Sequence, residues 1–199
     1  MLNLDWRPPV LETPRLIIRP IEPADAEPLF LFCSNPKMTR FTLWNTHQSM
    51  NDSRSYVNDY PFSRYFNQEP EPLAIVLKED PTRALIGTIG CFWTSKNDGV
   101  MEIGYNLAEP YWGRGLIVEA ARRLIDHVFQ TYPVERIQAR VFVGNDASAR
   151  AALKMGMSFE GIGRSVLAHR SGRVSIEYYS MLRTEWKGGE PLDSPPVIT

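Results

Sequence analysis

Net charge is almost absent from this chain of 199 residues: 22 Lys and Arg stand against 23 Asp and Glu, leaving −1 at pH 7. No overall field draws such a molecule onto nucleic acid or an anionic membrane, so any such attachment would have to be local. Cysteine is scarce as well. Cys33 and Cys91 stand in neither a CxxC nor a metal-ligand spacing, which predicts two reduced core thiols rather than a disulfide framework or a metal centre. No apolar run approaches the ~18 residues of a membrane span, and Met1 to Val10 (MLNLDWRPPV) lacks an apolar signal core, so the expected location is cytoplasmic. Glycine is missing from the first part altogether: all 13 lie at or after Gly87, whereas 11 of 16 prolines lie at or before Pro81. The first part turns corners with fixed φ, and the second holds the positions where positive φ or close backbone approach is possible.

What is present reads as one domain over residues 10–187 with a flexible tail at 188–199, where prolines and glycines outnumber scattered apolar residues. Arg15 to Arg19 (RLIIR) is a short strand, and Pro23 to Cys33 a helix with Asp25 and Glu27 in its first turn. Asn51 to Gln68 predicts a second helix, bounded loosely by Pro36 and Pro61. Strands follow at Leu73 to Lys78, Leu85 to Trp93 and Val100 to Leu107, joined by turn-rich links short enough to make antiparallel neighbours. From Leu116 to Gln130 the apolar residues recur at three and four, the strongest helical signal in the chain. Ile137 to Val143 is β-rich, Ala147 to Met155 is a short helix closed by Gly156, and strands around Phe159 to Ala168 and Val174 to Leu182 complete the pattern. That order predicts a mixed α+β fold: a mostly antiparallel sheet of about six to seven strands flanked by helices, with one crossover helix after the third meander strand.

Between Leu107 and Leu116 lies AEPYWGRG. A strand feeding a Gly-x-Gly turn that opens a helix aims unpaired N–H groups and the positive helix end at one point, which suits phosphate. Two phosphate-loop types fail on spacing: Val118 stands where a dinucleotide fingerprint needs Gly or Ala, and no Walker G-x-x-x-x-G-K-[ST] exists. From Trp112 to Arg173 ten Lys and Arg oppose five Asp and Glu, so this half fits a polyanionic small ligand or simply a solvated basic face. His47, His127 and His169 share no ligand or triad spacing.

Three groups of residues carry a resemblance: EIGY at Glu102 to Tyr105, YWGRG at Tyr111 to Gly115, and Asn145, Ser148, Lys154 and Gly156 within GNDASARAALKMG. With TPRLIIRP at Thr13, they resemble the acetyl-coenzyme A site of the GNAT N-acyltransferases, more narrowly the RimJ/RimL type that acetylates protein N-terminal amines. Pro110 departs from the Gln or Arg usual in the wider superfamily, which shifts the expected phosphate contacts to the backbone. The resemblance implies the GNAT fold, with acetyl-CoA as donor in the splay between the fourth and fifth strands and no metal. It further implies that N–H groups from Trp112, Gly113, Arg114, Gly115 and Leu116 hold the pyrophosphate, and that Tyr105, Asn106 and Leu107 pair with the pantetheine like an added strand. Asn145 would use its amide on the pantetheine arm and Ser148 would lie near the thioester sulfur. Asn145 also stands where it would cap the short helix, and Ser148 where it would be a first-turn residue, so each has a structural reading beside the chemical one.

Direct transfer to an amine in a ternary complex then needs a neutral nucleophile and a stabilised leaving thiolate. An α-amine with pKa near 7.7–8.0 is partly neutral at pH 7, whereas below about 0.1% of a Lys amine is. Glu102 is the candidate base, acting through water, with Glu177 or water itself as alternatives and a structural carboxylate as the competing role for Glu102. Ser148 would hydrogen-bond the departing thiolate. The expected partners are a coenzyme A thioester and an amine, a protein N-terminus or a small molecule, with a homodimer possible. A non-catalytic acyl-CoA-binding module and a ribosome- or RNA-associated protein are the competing classes, and no Lys/Arg run supports the latter.

Overall fold

The computed structural model describes residues 5–188, and most of the predicted tail lies outside them. Eight strands form one sheet in the order β1-β2-β3-β4-β5-β6-β8-β7. They are β1 (Leu11–Glu12), β2 (Leu16–Pro20), β3 (Leu73–Leu77), β4 (Leu85–Ser95), β5 (Val100–Leu107), β6 (Arg136–Phe142), β7 (Ser158–His169) and β8 (Gly172–Leu182). The helices are α1 (Ala26–Cys33), α2 (Pro36–Thr39), α3 (Met50–Phe66), α4 (Leu116–Thr131) and α5 (Asp146–Met155). Every neighbouring pair of strands is antiparallel except β5 with β6, which α4 joins as the crossover. The eighth strand is β1, whose Leu11 pairs with Ile18; two residues are too short for a periodic signal. Pro61 lies inside α3 rather than at its border. It is buried there, and its missing N–H costs the helix one bond to the carbonyl four residues back.

The core is split by the sheet. Met101, Ile103 and Leu107 of β5 and Ile137, Ala139 and Val141 of β6 pack with Ala120, Ala121, Leu124 and Val128, the predicted apolar stripe of α4. Ala74, Val76 and Leu85 pack on the opposite side with Leu29, Phe32 and Cys33 of α1 and Val57 of α3. Cys33 and Cys91 are free and buried, and burial pushes both thiols up from their ordinary pKa. Strand alternation extends this division to the polar residues. Glu102 shares the α1/α3 side with Gly104 and Asn106, whereas Tyr105 shares the α4 side with its β5 neighbours Ile103 and Leu107.

Candidate active site

The parallel pairing of β5 with β6 stops almost where it starts. Val100, Met101 and Glu102 register with Arg136, Ile137 and Gln138, and beyond them the strands part. Ala108 N–H bonds the Ile86 carbonyl in the loop edge of β4, so alternation turns the backbone of Ile103, Tyr105 and Leu107 away from β4 and into this gap. Asn106 turns its backbone to β4 and its amide to Thr88 Oγ1 at 3.4 Å. The Leu107 carbonyl is already engaged by Trp112 Nε1 at 2.5 Å. An added Cβ at Gly104 would find nothing within 4 Å, so the α1/α3 face of β5 is open beside Glu102.

The glycine loop follows β5 on one side of the gap. Gly113 and Gly115 have φ of +74° and +75°, in the left-handed region that side chains disfavour, and Gly115 is the residue from which the 16-residue α4 starts. The loop is tied down from an unexpected quarter. Arg15 donates to the Arg114 carbonyl at 3.0 Å and pairs with Glu119 in the first turn of α4, Nε to Oε2 at 2.6 Å. Thr13 Oγ1 donates to Glu119 Oε1 at 2.5 Å, and Arg15 N–H reaches the same oxygen at 3.0 Å. Burial would raise the Glu119 carboxyl, but these bonds outweigh it and hold the group below its ordinary 4.5.

Across the gap, following β6, is the start of α5. Asn145 Oδ1 accepts from Ser148 N–H at 3.4 Å, so the residue does cap the helix; its Nδ2 makes no hydrogen bond among the described residues. Ser148 Oγ lies 2.8 Å from the Tyr105 hydroxyl, a pair bridging β5 to α5. Burial pushes the Tyr105 phenol up, partly offset by its bond to Ser148, so it stays protonated at neutral pH.

Glu102 is buried and accepts from Arg140 Nε at 2.8 Å and Gln138 Nε2 at 3.3 Å, both through Oε2. It lines a cavity of about 120 Å³ with Phe41, Arg140 and Phe142. Glu177 does not join it. Val141 pairs with Glu177, which places Glu177 on the α4 side, where its carboxylate accepts from the Tyr179 hydroxyl at 2.6 Å. The two carboxylates proposed as alternative bases thus stand on opposite faces of the sheet.

A third carboxylate, Glu71, escaped sequence reasoning. A Cβ at Gly90 would lie 2.6 Å from Glu71 Cα, so the glutamate sits directly on Gly90, which registers with Gly104 of β5. Tyr60 donates to its Oε1 at 2.7 Å; Oε2 is buried, lies 3.3 Å from Arg64 Nε and makes no hydrogen bond. Burial raises the Glu71 carboxyl, and the Tyr60 bond and Arg64 offset only part of that. A cramped glycine beneath a glutamate was the available signal, but it needs the register to be read. Among the described residues no group of three His, Cys, Asp or Glu is arranged to hold a metal, and no helix is long and apolar enough to cross a membrane.

This geometry has counterparts. Residues 15–158 match the family model described as acetyltransferase (GNAT) domain. The chain is 31% identical over 175 residues to the uncharacterized N-acetyltransferase YoaA of Bacillus subtilis (strain 168), covering 88% of this chain and 97% of that protein. Among solved structures, a GNAT-family acetyltransferase from Bacillus anthracis superposes with a TM-score of 0.78 at 23% identity, over 88% of this chain and 99% of that one. RimL, the ribosomal L7/L12 alpha-N-protein acetyltransferase solved with coenzyme A, gives 0.74 at 15% identity, over 87% and 98% of the two chains.

Proposed function

Because this chain belongs to the GNAT acetyltransferase family, we propose that it moves the acetyl group of acetyl-CoA directly to a primary amine within a ternary complex, as the RimJ/RimL type does with protein N-termini. One observation carries the reading: the β5–β6 gap has a positive-φ glycine loop on its β5 side and the Tyr105–Ser148 hydroxyl pair spanning it to α5. Those features fit the group chemically. N–H groups from Gly113 to Leu116 at the head of α4 suit a pyrophosphate, the Trp112 N–H being spent on the Glu109 carbonyl at 3.1 Å, and the free edge groups of Tyr105 and the N–H of Leu107, with Asn145 Nδ2, suit the amides of a pantetheine arm. Bound there, acetyl-CoA supplies an activated acetyl thioester and needs no metal.

The two faces of the sheet divide the proton work. On the α1/α3 side, Glu102 and Glu71 are the carboxylates placed to take a proton from an incoming amine, directly or through water, at Glu102 Oε1 or Glu71 Oε2. On the α4 side, Ser148 Oγ donates to the sulfur as negative charge develops there, and Tyr105 supports that hydroxyl from behind. Glu177, on the α4 side and bonded by Tyr179, is a structural carboxylate in this account. A crystal structure with coenzyme A tests the placement: the pantetheine is expected between β5 and β6 with sulfur near Ser148, and a ligand lying outside the gap contradicts it.

A further inference from the structure

Beside the small cavity at Glu102 lies a larger one of about 800 Å³, and the two share Phe41 and Phe142 as a common wall. Its size is at the upper end for small-molecule pockets and exceeds what a simple alkylamine fills. Its charge is one-sided. Lys37, Arg40, His169 and Arg170 line it, and no carboxylate does. Lys37 is compensated by Glu109 at 2.9 Å, and Arg170 spends its guanidinium on the carbonyls of Thr39, Thr42 and Trp44. Arg40 has no such partner. It is exposed, stacks over Phe41 with its guanidinium carbon 4.9 Å from the ring centre, and forms no ion pair among the described residues. In the adjoining cavity Arg140 meets Glu102 through Nε alone, leaving its two Nη groups without a hydrogen bond.

The shape is fixed by a strap. The tip of the β7–β8 hairpin is fastened to the segment after α2 by those Arg170 bonds and by His169 Nε2 to the Thr42 carbonyl at 3.2 Å. The cations therefore belong to a built wall and not to a loose surface.

Resting on the acetyl-transfer reading above, we infer that the acceptor is an amine carrying an anionic group, a carboxylate or a phosphate, which Arg40 and Arg140 receive while the amine faces Glu102. A groove walled by positive charge repels a bare ammonium ion and attracts an acceptor whose own anion offsets it. Phe41 and Phe142 supply apolar surface between the anion and the amine.

The test compares acceptors by thiol release from acetyl-CoA, all as C-terminal amides so that no terminal carboxylate intervenes: Ser-Glu-Glu, Ser-Gln-Gln and Ser-Lys-Lys for the carboxylate source, and Ser-phosphoserine against Ser-Ser for the phosphate source. The expected result is kcat/KM about tenfold higher for the anionic member of at least one arm over its neutral counterpart, from two screened pairs of about threefold each. Raising the ionic strength from about 0.02 to about 0.5 M shrinks that ratio, and Arg40→Glu brings it to one or below, with thermal unfolding reporting the retained fold. Preference in one arm only identifies the source. Equal rates across the set, a ratio indifferent to salt, or an Arg40→Glu ratio like that of the wild type overturns the inference while leaving acetyl transfer standing. Absence of thiol release from every acceptor, neutral ones included, overturns the transfer reading and the inference with it.

Discussion

The Tyr105 hydroxyl lies 2.8 Å from Ser148 Oγ, linking two residues 43 positions apart across the mouth of the β5–β6 gap. If the pair acts as one donor to the leaving sulfur, Ser148→Ala and Tyr105→Phe each lower kcat by about tenfold to a hundredfold with little change in donor KM. The double variant then loses scarcely more than the worse single one, because each removes the same relay. Steady-state kinetics of the three variants check this; a raised donor KM at unchanged turnover, or full additivity, removes the role.

Gly115 opens α4 at φ +75°, with only Arg15 Nη2 at 3.8 Å near an added Cβ. Space is not the obstacle to Gly115→Ala; conformation is. Holding alanine in the left-handed region costs about 1–2 kcal/mol. Gly115→Ala is therefore expected to lower the melting temperature and to raise the donor KM, by reorienting the N–H groups of the loop. A variant with wild-type stability and donor affinity shows that the loop does not need this conformation.

Arg15 holds the loop through Arg114 and the helix through Glu119, and the Glu119 carboxyl is held below its ordinary pKa. A depressed folded-state pKa stabilises the fold above the unfolded value near 4.5, and that contribution fades as pH falls through the lower folded value. Thermal unfolding against pH is expected to show Glu119→Gln less stable than the wild type at pH 7 and converging on it toward pH 3. Arg15→Ala is expected to raise the donor KM as well. A gap in stability that stays constant with pH removes the electrostatic part of the explanation.

These residues show what a sequence makes legible. Gly113, Gly115, Asn145 and Ser148 announce themselves because each does local work, at a turn or a helix start, and local work leaves local spacing. The α4 stripe and the β3–β4–β5 meander are readable for the same reason. Arg15 with Glu119, and Tyr105 with Ser148, are side-chain meetings across 104 and 43 residues, visible only once the strands are in register. Glu102 and Glu177 look interchangeable along the chain; their opposite faces follow from β6, whose Gln138 registers with Glu102 and whose Val141 registers with Glu177. Glu71 hides because burial, not neighbouring sequence, gives it a raised carboxyl.

Glu71 and Glu102 share the α1/α3 side, and substitution separates their duties. For an α-amine acceptor, Glu71→Gln and Glu102→Gln are each expected to lower kcat/KM by about tenfold, and for a lysine amine by about a hundredfold, since less of that amine is neutral at pH 7. If Glu71 takes the proton, the acidic limb of the wild-type pH profile lies above the ordinary carboxylate range, in the direction its burial dictates, and disappears in Glu71→Gln. An acidic limb that survives in Glu71→Gln and vanishes in Glu102→Gln assigns the base to Glu102 instead.

The most direct measurement mixes the wild-type protein with acetyl-CoA and a serine-ended acidic peptide, following free thiol and peptide mass together. One acetyl group is expected on the peptide amine for each thiol released, with no acetyl-protein trapped when the peptide is omitted. Donor binding with neither thiol release nor acetylated peptide, or a protein that itself becomes acetylated before the peptide arrives, contradicts direct transfer through the β5–β6 gap.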